Sequence, residues 1–79
     1  MTGTESKKLN KFIDELDDMK EYVEELLDKE QERMDKLSEK ALEDGEGEAM
    51  ERTMEALSSA IDSMEALIES LNEALSEDE

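Results

Sequence analysis

Residues 50–75 read MERTMEALSSAIDSMEALIESLNEAL, and this stretch decides the fold. Met50, Leu57, Met64 and Leu71 recur every seven residues, and Met54, Ile61, Ile68 and Leu75 do the same four places later. Apolar steps of three and four keep one stripe on one face of an α-helix, which turns once in about 3.6 residues. Held over four heptads, the pattern is that of a coiled coil or a helical bundle. Thr53, Ala60, Leu67 and Ala74 flank the stripe, and Ala60 and Ala74 are small enough for another helix to approach closely. The outer surface carries Glu51, Glu55, Asp62, Glu65, Glu69 and Glu73, with Ser58, Ser59, Ser63 and Ser70 between them.

Immediately upstream, Asp44-Gly45-Glu46-Gly47-Glu48 is a turn signal. A glycine just past a helix end takes the left-handed conformation that stops the helix, and a second glycine lets the chain reverse. So short a connection makes the two helices antiparallel neighbours. Before the turn come Leu9, Phe12, Ile13, Leu16, Met19, Val23, Leu26 and Leu27, then Met34, Leu37, Ala41 and Leu42. These spacings predict an amphipathic helix. Thr2 and Glu5 have capping-box spacing at its start, with Thr4 as a rival cap. Asp28-Lys29-Glu30-Gln31-Glu32-Arg33 contains no apolar residue, so the seam steps 26, 30, 34, 37 and places Glu30 inward or at the edge. An added four-residue step of this kind is a stutter, and the reading is a continuous helix whose seam shifts there.

The expected fold is all-α: one antiparallel two-helix hairpin over residues 1–79, coiled-coil-like, with helix 1 at about 5–43, a turn at 44–48 and helix 2 at about 49–76. Two helices cannot cover each other's apolar stripes completely. Pairing of two hairpins into a four-helix bundle is the simplest closed, symmetric remedy. The seam assigned to this homodimer is Met50, Met54, Leu57, Ile61, Met64, Ile68, Leu71 and Leu75.

Composition narrows the function. The 79 residues hold 26 Asp and Glu against 9 Lys and Arg, a formal charge of −17, far beyond the magnitude of about 2–8 that keeps a small domain soluble. High charge with few aromatics can mark disorder. Here the apolar residues are regularly spaced, there is no Pro, and the commonest residues are strong helix formers. The charge divides unevenly: residues 1–44 hold 15 acids and 8 bases, residues 45–79 hold 11 acids and one base, Arg52. Such a body repels nucleic acid and anionic membranes and attracts basic proteins. No apolar run reaches the ~18 residues of a membrane span, and Met1-Thr2-Gly3-Thr4-Glu5 does not open a signal peptide, so a cytoplasmic location is expected.

Catalytic and metal chemistry find little to use. With no Cys there are no disulfides, thiolate nucleophiles or cysteine metal sites. With no His, the Glu-x-x-His motif of di-iron bundles is missing. An EF-hand frame with Gly45 at its sixth position puts Lys40 and Leu42 where ligands belong, and the frame on Gly47 puts Leu42 first and Thr53 last. Glu30 is the acid placed near the seam, and an edge carboxylate reaching solvent or Arg33 accounts for it better than a general base. No enzyme activity, cofactor or metal is expected. The methionines, Met19, Met34, Met50, Met54 and Met64 among them, fit core filling ahead of an adaptable groove.

Two resemblances follow from short motifs. Asp62-Ser63-Met64-Glu65-Ala66-Leu67-Ile68-Glu69 resembles the phosphopantetheine attachment site of acyl carrier proteins, but Ser63 lies inside a heptad run with 16 residues after it. Asp28-Lys29-Glu30-Gln31-Glu32, Gly47-Glu48-Ala49-Met50-Glu51 and Ala60-Ile61-Asp62-Ser63-Met64-Glu65 resemble small acidic proteins carried by phages and mobile elements of Gram-positive bacteria. This chain has Lys36-Leu37-Ser38-Glu39 where that group has a turn-forming stretch with Pro. The resemblance implies a phage or mobile-element setting in a bacterial host and transfers no residue role.

Two functions are weighed. In the first, the protein mimics the DNA backbone and blocks a basic nucleic-acid-binding protein, using Glu51, Glu55, Asp62, Glu65, Glu69, Glu73 and the Glu77-Asp78-Glu79 tail. In the second, a structural or assembly role, oligomerisation is itself the function and the charge keeps the bundle soluble.

Overall fold

The computed structural model describes residues 1–77. Its helices are α1 (Gly3–Asp35), α2 (Glu39–Glu43) and α3 (Glu46–Glu77). The two long helices, α1 and α3, pack antiparallel as an extended hairpin, and α2 lies in the link between them and also touches α3. The result is a rod of 59 × 15 × 12 Å. Its radius of gyration is 17.9 Å, against about 12 Å for a compact chain of this length. Packing is therefore one seam between two helices, with no core enclosed on all sides.

Local chemistry sets the element boundaries. Thr2 is the cap of α1: its backbone N–H donates to Glu5 Oε1 (2.7 Å), and Glu5 N–H donates to Thr2 Oγ1 (3.1 Å). This reciprocal pair satisfies two of the donors that a helix start leaves open. The helix runs unbroken through residues 28–33 and ends at Asp35, where Lys36 N–H turns to Arg33 O (3.2 Å) and Leu37 N–H to Met34 O (3.1 Å). Helix 1 therefore stops short of the expected 43. The cause is Ser38, whose extended backbone and side-chain acceptance from Ala41 N–H (3.2 Å) start a new helix, α2. The break falls on Lys36-Leu37-Ser38, without any proline.

The reversal is tighter than the expected 44–48. Gly45, at φ +91°, donates to Leu42 O (3.2 Å) and accepts from Ala49 N–H (3.2 Å), so one residue ends α2 and starts α3. Gly47 does not help the chain reverse. It already lies in α3, buried, and a Cβ there would come 2.6 Å from Leu42 Cδ2. The small side of α3 at Gly47 is where Leu42 folds over the seam.

The seam on α1 keeps a strict heptad. Residues 6, 9, 13, 16, 20, 23, 27, 30 and 34 are drawn inward in steps of three and four, and Leu37 continues the series just past the helix end. Leu26 beside Leu27 is half-buried too, and Ile13 is buried at 6% exposure. With both leucines half-buried, the seam widens between Val23 and Glu30, and the heptad then continues through Met34 in its earlier phase. The partner stripe on α3 repeats every 3.5 residues, and two helices interlock over several turns only when both keep that repeat.

Gly45 and Gly47 separate two effects. Gly45→Ala meets no atom within 4 Å yet must hold a left-handed backbone, so it lowers stability by about 1–2 kcal/mol. Gly47→Ala meets Leu42, whose side chain is 46% exposed and can swing aside, while alanine favours the helix. Its unfolding midpoint in urea should stay close to the parent's. Equal losses for the two variants would show that Leu42 is held rigidly.

Candidate functional site

The heptad phase divides the hairpin into two unlike faces. With a and d positions in the seam, the e and b positions lie on one flank of each helix and the g and c positions on the other. A shallow groove of about 450 Å³ between the helices shows which flanks meet: its lining is Leu27, Asp28 and Gln31 from α1 and Glu51, Met54, Glu55 and Ser58 from α3. These are the e and b flanks of both helices, with Leu27 and Met54 as the apolar floor. The g and c flanks consequently meet on the opposite side.

The groove side is acidic along its length. On α1 it carries Asp14, Asp17, Glu21, Glu24, Asp28 and Asp35, all exposed. On α3 it carries Glu48, Glu51, Glu55, Asp62, Glu65 and Glu69, also exposed. Each row spans 21 residues, about 32 Å at 1.5 Å per residue. Two carboxylate rows thus run along the groove side of the rod, the groove itself lying between residues 27–31 of α1 and 51–58 of α3, with Lys7 on this flank only beyond the end of the α1 row. The other bases of α1 lie elsewhere: Lys8, Lys29 and Arg33 on the opposite flank, Lys11 on the outer edge, and Lys20 in the seam.

Lys20 reaches out of the seam to Glu65 across the helix pair (Nζ–Oε1 3.5 Å). A single cation at a seam position costs stability but fixes which turn of α1 lies beside which turn of α3. Glu30, also in the seam, pairs with Arg33 one turn on in its own helix. Its partner is thus the one the spacing pointed to. Gln31 Nε2 donates to Asp35 Oδ1 (3.0 Å) on the acidic flank.

The acidic stripe read from α3 alone is placed as follows. Glu51, Glu55, Asp62, Glu65 and Glu69 belong to the groove row, while Glu73 sits on the outer edge. Asp78 and Glu79 of the tail lie outside the described residues. The row on α1 was missed in the sequence because its bases at helical spacing make helix 1 look evenly mixed. Only the seam phase shows that those bases sit on another flank.

The eight residues assigned to an oligomer seam, Met50, Met54, Leu57, Ile61, Met64, Ile68, Leu71 and Leu75, are half-buried along the α1–α3 interface of the single chain. Phe12, Met19 and Tyr22 are exposed at 48, 55 and 60%, on the flank away from the groove, and Leu67 on α3 is exposed at 46% on the same side. Ser63 is exposed in the middle of α3. Among the described residues, no three carboxylates converge as metal ligands would, and no helix is long and apolar enough to cross a membrane. Comparison with protein-family models, curated proteins and solved structures finds no match for this chain.

Two outcomes follow from this charge arrangement. Glu30→Leu removes a carboxylate from a half-buried seam position and adds apolar contact, so it should raise stability by about 1 kcal/mol in urea unfolding. Salt should raise the melting temperature of the parent chain. The Debye length falls from about 30 Å at 0.01 M to about 8 Å at 0.15 M, screening repulsion along each row. A melting temperature that falls with added salt would show that ion pairs such as Lys20–Glu65 outweigh the repulsion.

Proposed function

We propose that the hairpin is a non-enzymatic protein-interaction module whose groove face occupies the nucleic-acid-binding surface of a basic protein. The single observation that supports this most is the pair of carboxylate rows on one side of the rod. Together they present about one carboxylate per 3 Å of axis, on the scale of duplex DNA with one phosphate per about 1.7 Å. Like the phosphates, they stand on two ridges either side of a groove, where Lys and Arg of a DNA-binding protein can reach both. Leu27 and Met54 on the groove floor would receive the alkyl stems of those side chains. A mimic of this kind, acting as an inhibitor in a phage or mobile element, is the biological setting that fits its size and charge.

The assembly role is the second reading. The exposed apolar residues on the other flank favour it. The two readings concern opposite sides of the rod and can be tested separately.

Immobilised hairpin should capture nucleic-acid-binding proteins from a bacterial lysate and release them to short duplex DNA or to rising salt. Charge reversal at Glu51, Glu55, Asp62 and Glu69 should abolish capture. Glu65 is left in place because its reversal would set a second cation against Lys20. The helical signal in circular dichroism should be unchanged, since rim charges act on association and salt dependence more than on folding. Capture that survives the four reversals, or that ignores both salt and DNA, would overturn the mimic reading.

A further inference from the structure

We infer that the flank opposite the groove is the docking surface for a second copy of this chain, with α1 of each hairpin lying on α3 of the other. The inference goes beyond the acidic-face reading and holds whatever that face binds.

The surface is apolar and shaped. On α1 it presents the bulky side chains of Phe12, Met19, Tyr22 and Leu26, three of which are about half or more exposed. On α3 the same side presents Ala56, Ala60, Ser63, Ser70 and Ala74 around Leu67. Ridge and hollow therefore sit side by side on one face. A partner seated with its ridge on this hollow fills both at once, and only another copy of the same chain is guaranteed to carry both. Acids and bases on this flank nearly balance, with Lys8, Lys29 and Arg33 against Glu5, Glu15, Glu46 and Glu77. It is the side of the rod on which two such acidic bodies can meet.

Area points the same way. The chain exposes 5985 Å², whereas a compact protein of its 9.0 kDa mass exposes about 4,900 Å². A standard interface covers about 800 Å² on each partner, which removes most of that excess. The Met50–Leu75 stripe is half-buried against α1 inside the chain, whereas Phe12, Met19, Tyr22 and Leu67, the most exposed large apolar side chains of the two long helices, all lie on this flank.

Charge selects the arrangement. A two-fold axis along the rod lays α1 on the partner's α3, bulky against small. It also brings Lys8 toward the partner's Glu77 end of α3, and Arg33 toward its Glu46 end. A two-fold axis across the rod would lay α3 on α3 in opposite directions, bringing Glu46 of each toward the partner's Glu77 with no base of α3 on this flank. It would also stack bulky on bulky and small on small, holding the two helix pairs at unequal distances.

Sedimentation equilibrium of the full chain at 0.15 M salt should give a mass of about 18 kDa, twice the 9.0 kDa of one chain. Met19→Glu should raise the dimer dissociation constant at least about tenfold with helicity retained, whereas Asp62→Lys on the other face should not weaken the dimer. The axis is tested by cross-linking, since the chain has no cysteine of its own. Met19→Cys mixed with Leu67→Cys should give an oxidised heterodimer, while Met19→Cys alone should not cross-link to itself. A parent chain of 9.0 kDa at high micromolar concentration, or dimers indifferent to Met19→Glu, would overturn the docking surface. Self-linking of Met19→Cys without the mixed product would overturn the arrangement of α1 on α3.

Discussion

Everything in this hairpin depends on two seven-residue repeats, running in opposite directions, keeping step along a single seam. A rod with one buried apolar residue, Ile13, has no deep core to fall back on. Its order comes from the interlocking of half-buried side chains turn after turn, and a slip in either helix would break contacts along the whole remaining length. This explains an otherwise odd choice in α1, which turns Ser6, Lys20 and Glu30 inward and leaves Phe12, Met19 and Tyr22 outside. Maximising apolar burial in α1 alone would shift its phase by about one residue. The observed phase instead brings two charged residues into the seam, and these find partners at Glu65 and Arg33.

How much of this could be read from the residues differs between the helices. The inward stripe of α3 from Met50 to Leu75 was legible, because its apolar series has one phase and its flanks are small or charged. Its expected contacts were between chains, whereas it packs on α1 within one chain. In α1 two apolar series overlap: Leu9, Ile13, Leu16, Val23, Leu27 and Met34 follow the heptad, while Phe12, Met19 and Leu26 follow the adjacent phase. Read in isolation, the second series makes Leu26 the inward residue and turns the step to Glu30 into a stutter. In the folded hairpin Leu26 and Leu27 are both half-buried while Phe12 and Met19 stay exposed, a division that only contact with α3 decides. The break at Lys36–Ser38 was hidden for a related reason. Its residues are tolerable helix formers, and a serine caps a helix only where the backbone is free to turn extended. Gly47 was misread as turn chemistry because its contact, Leu42, comes from a helix that the sequence pattern did not separate.

The phase of α1 also decides the electrostatics. Helix 1 averages to a mixed-charge surface, yet its bases and acids are sorted onto different flanks once the seam is known. One side of the rod concentrates carboxylates from both helices, and the other is nearly balanced and apolar. A protein that needed charge only for solubility gains nothing from this sorting, since scattered charges serve as well and repel one another less. Concentrating like charges opposes folding of a molecule with little burial in reserve. A cost of that kind is easiest to understand where the acidic side meets a cationic surface.

The two faces also bear on each other. Stacking two hairpins through their apolar flanks turns both groove faces outward, on opposite sides of the assembly. The screening length of about 8 Å at 0.15 M is shorter than the thickness of two stacked helix layers, each about 10 Å across. The two acidic faces would then repel each other only weakly, although each remains dense in itself. A dimer so built presents two identical anionic surfaces and can engage both halves of a symmetric basic partner or two separate copies of it. In the first case the second contact forms at an effective concentration set by a rigid body, and avidity rises without any added contact within either face. Covering the apolar flank in this way would do more than dry a greasy stripe: it would fix the number and direction of the charged surfaces that the dimer presents.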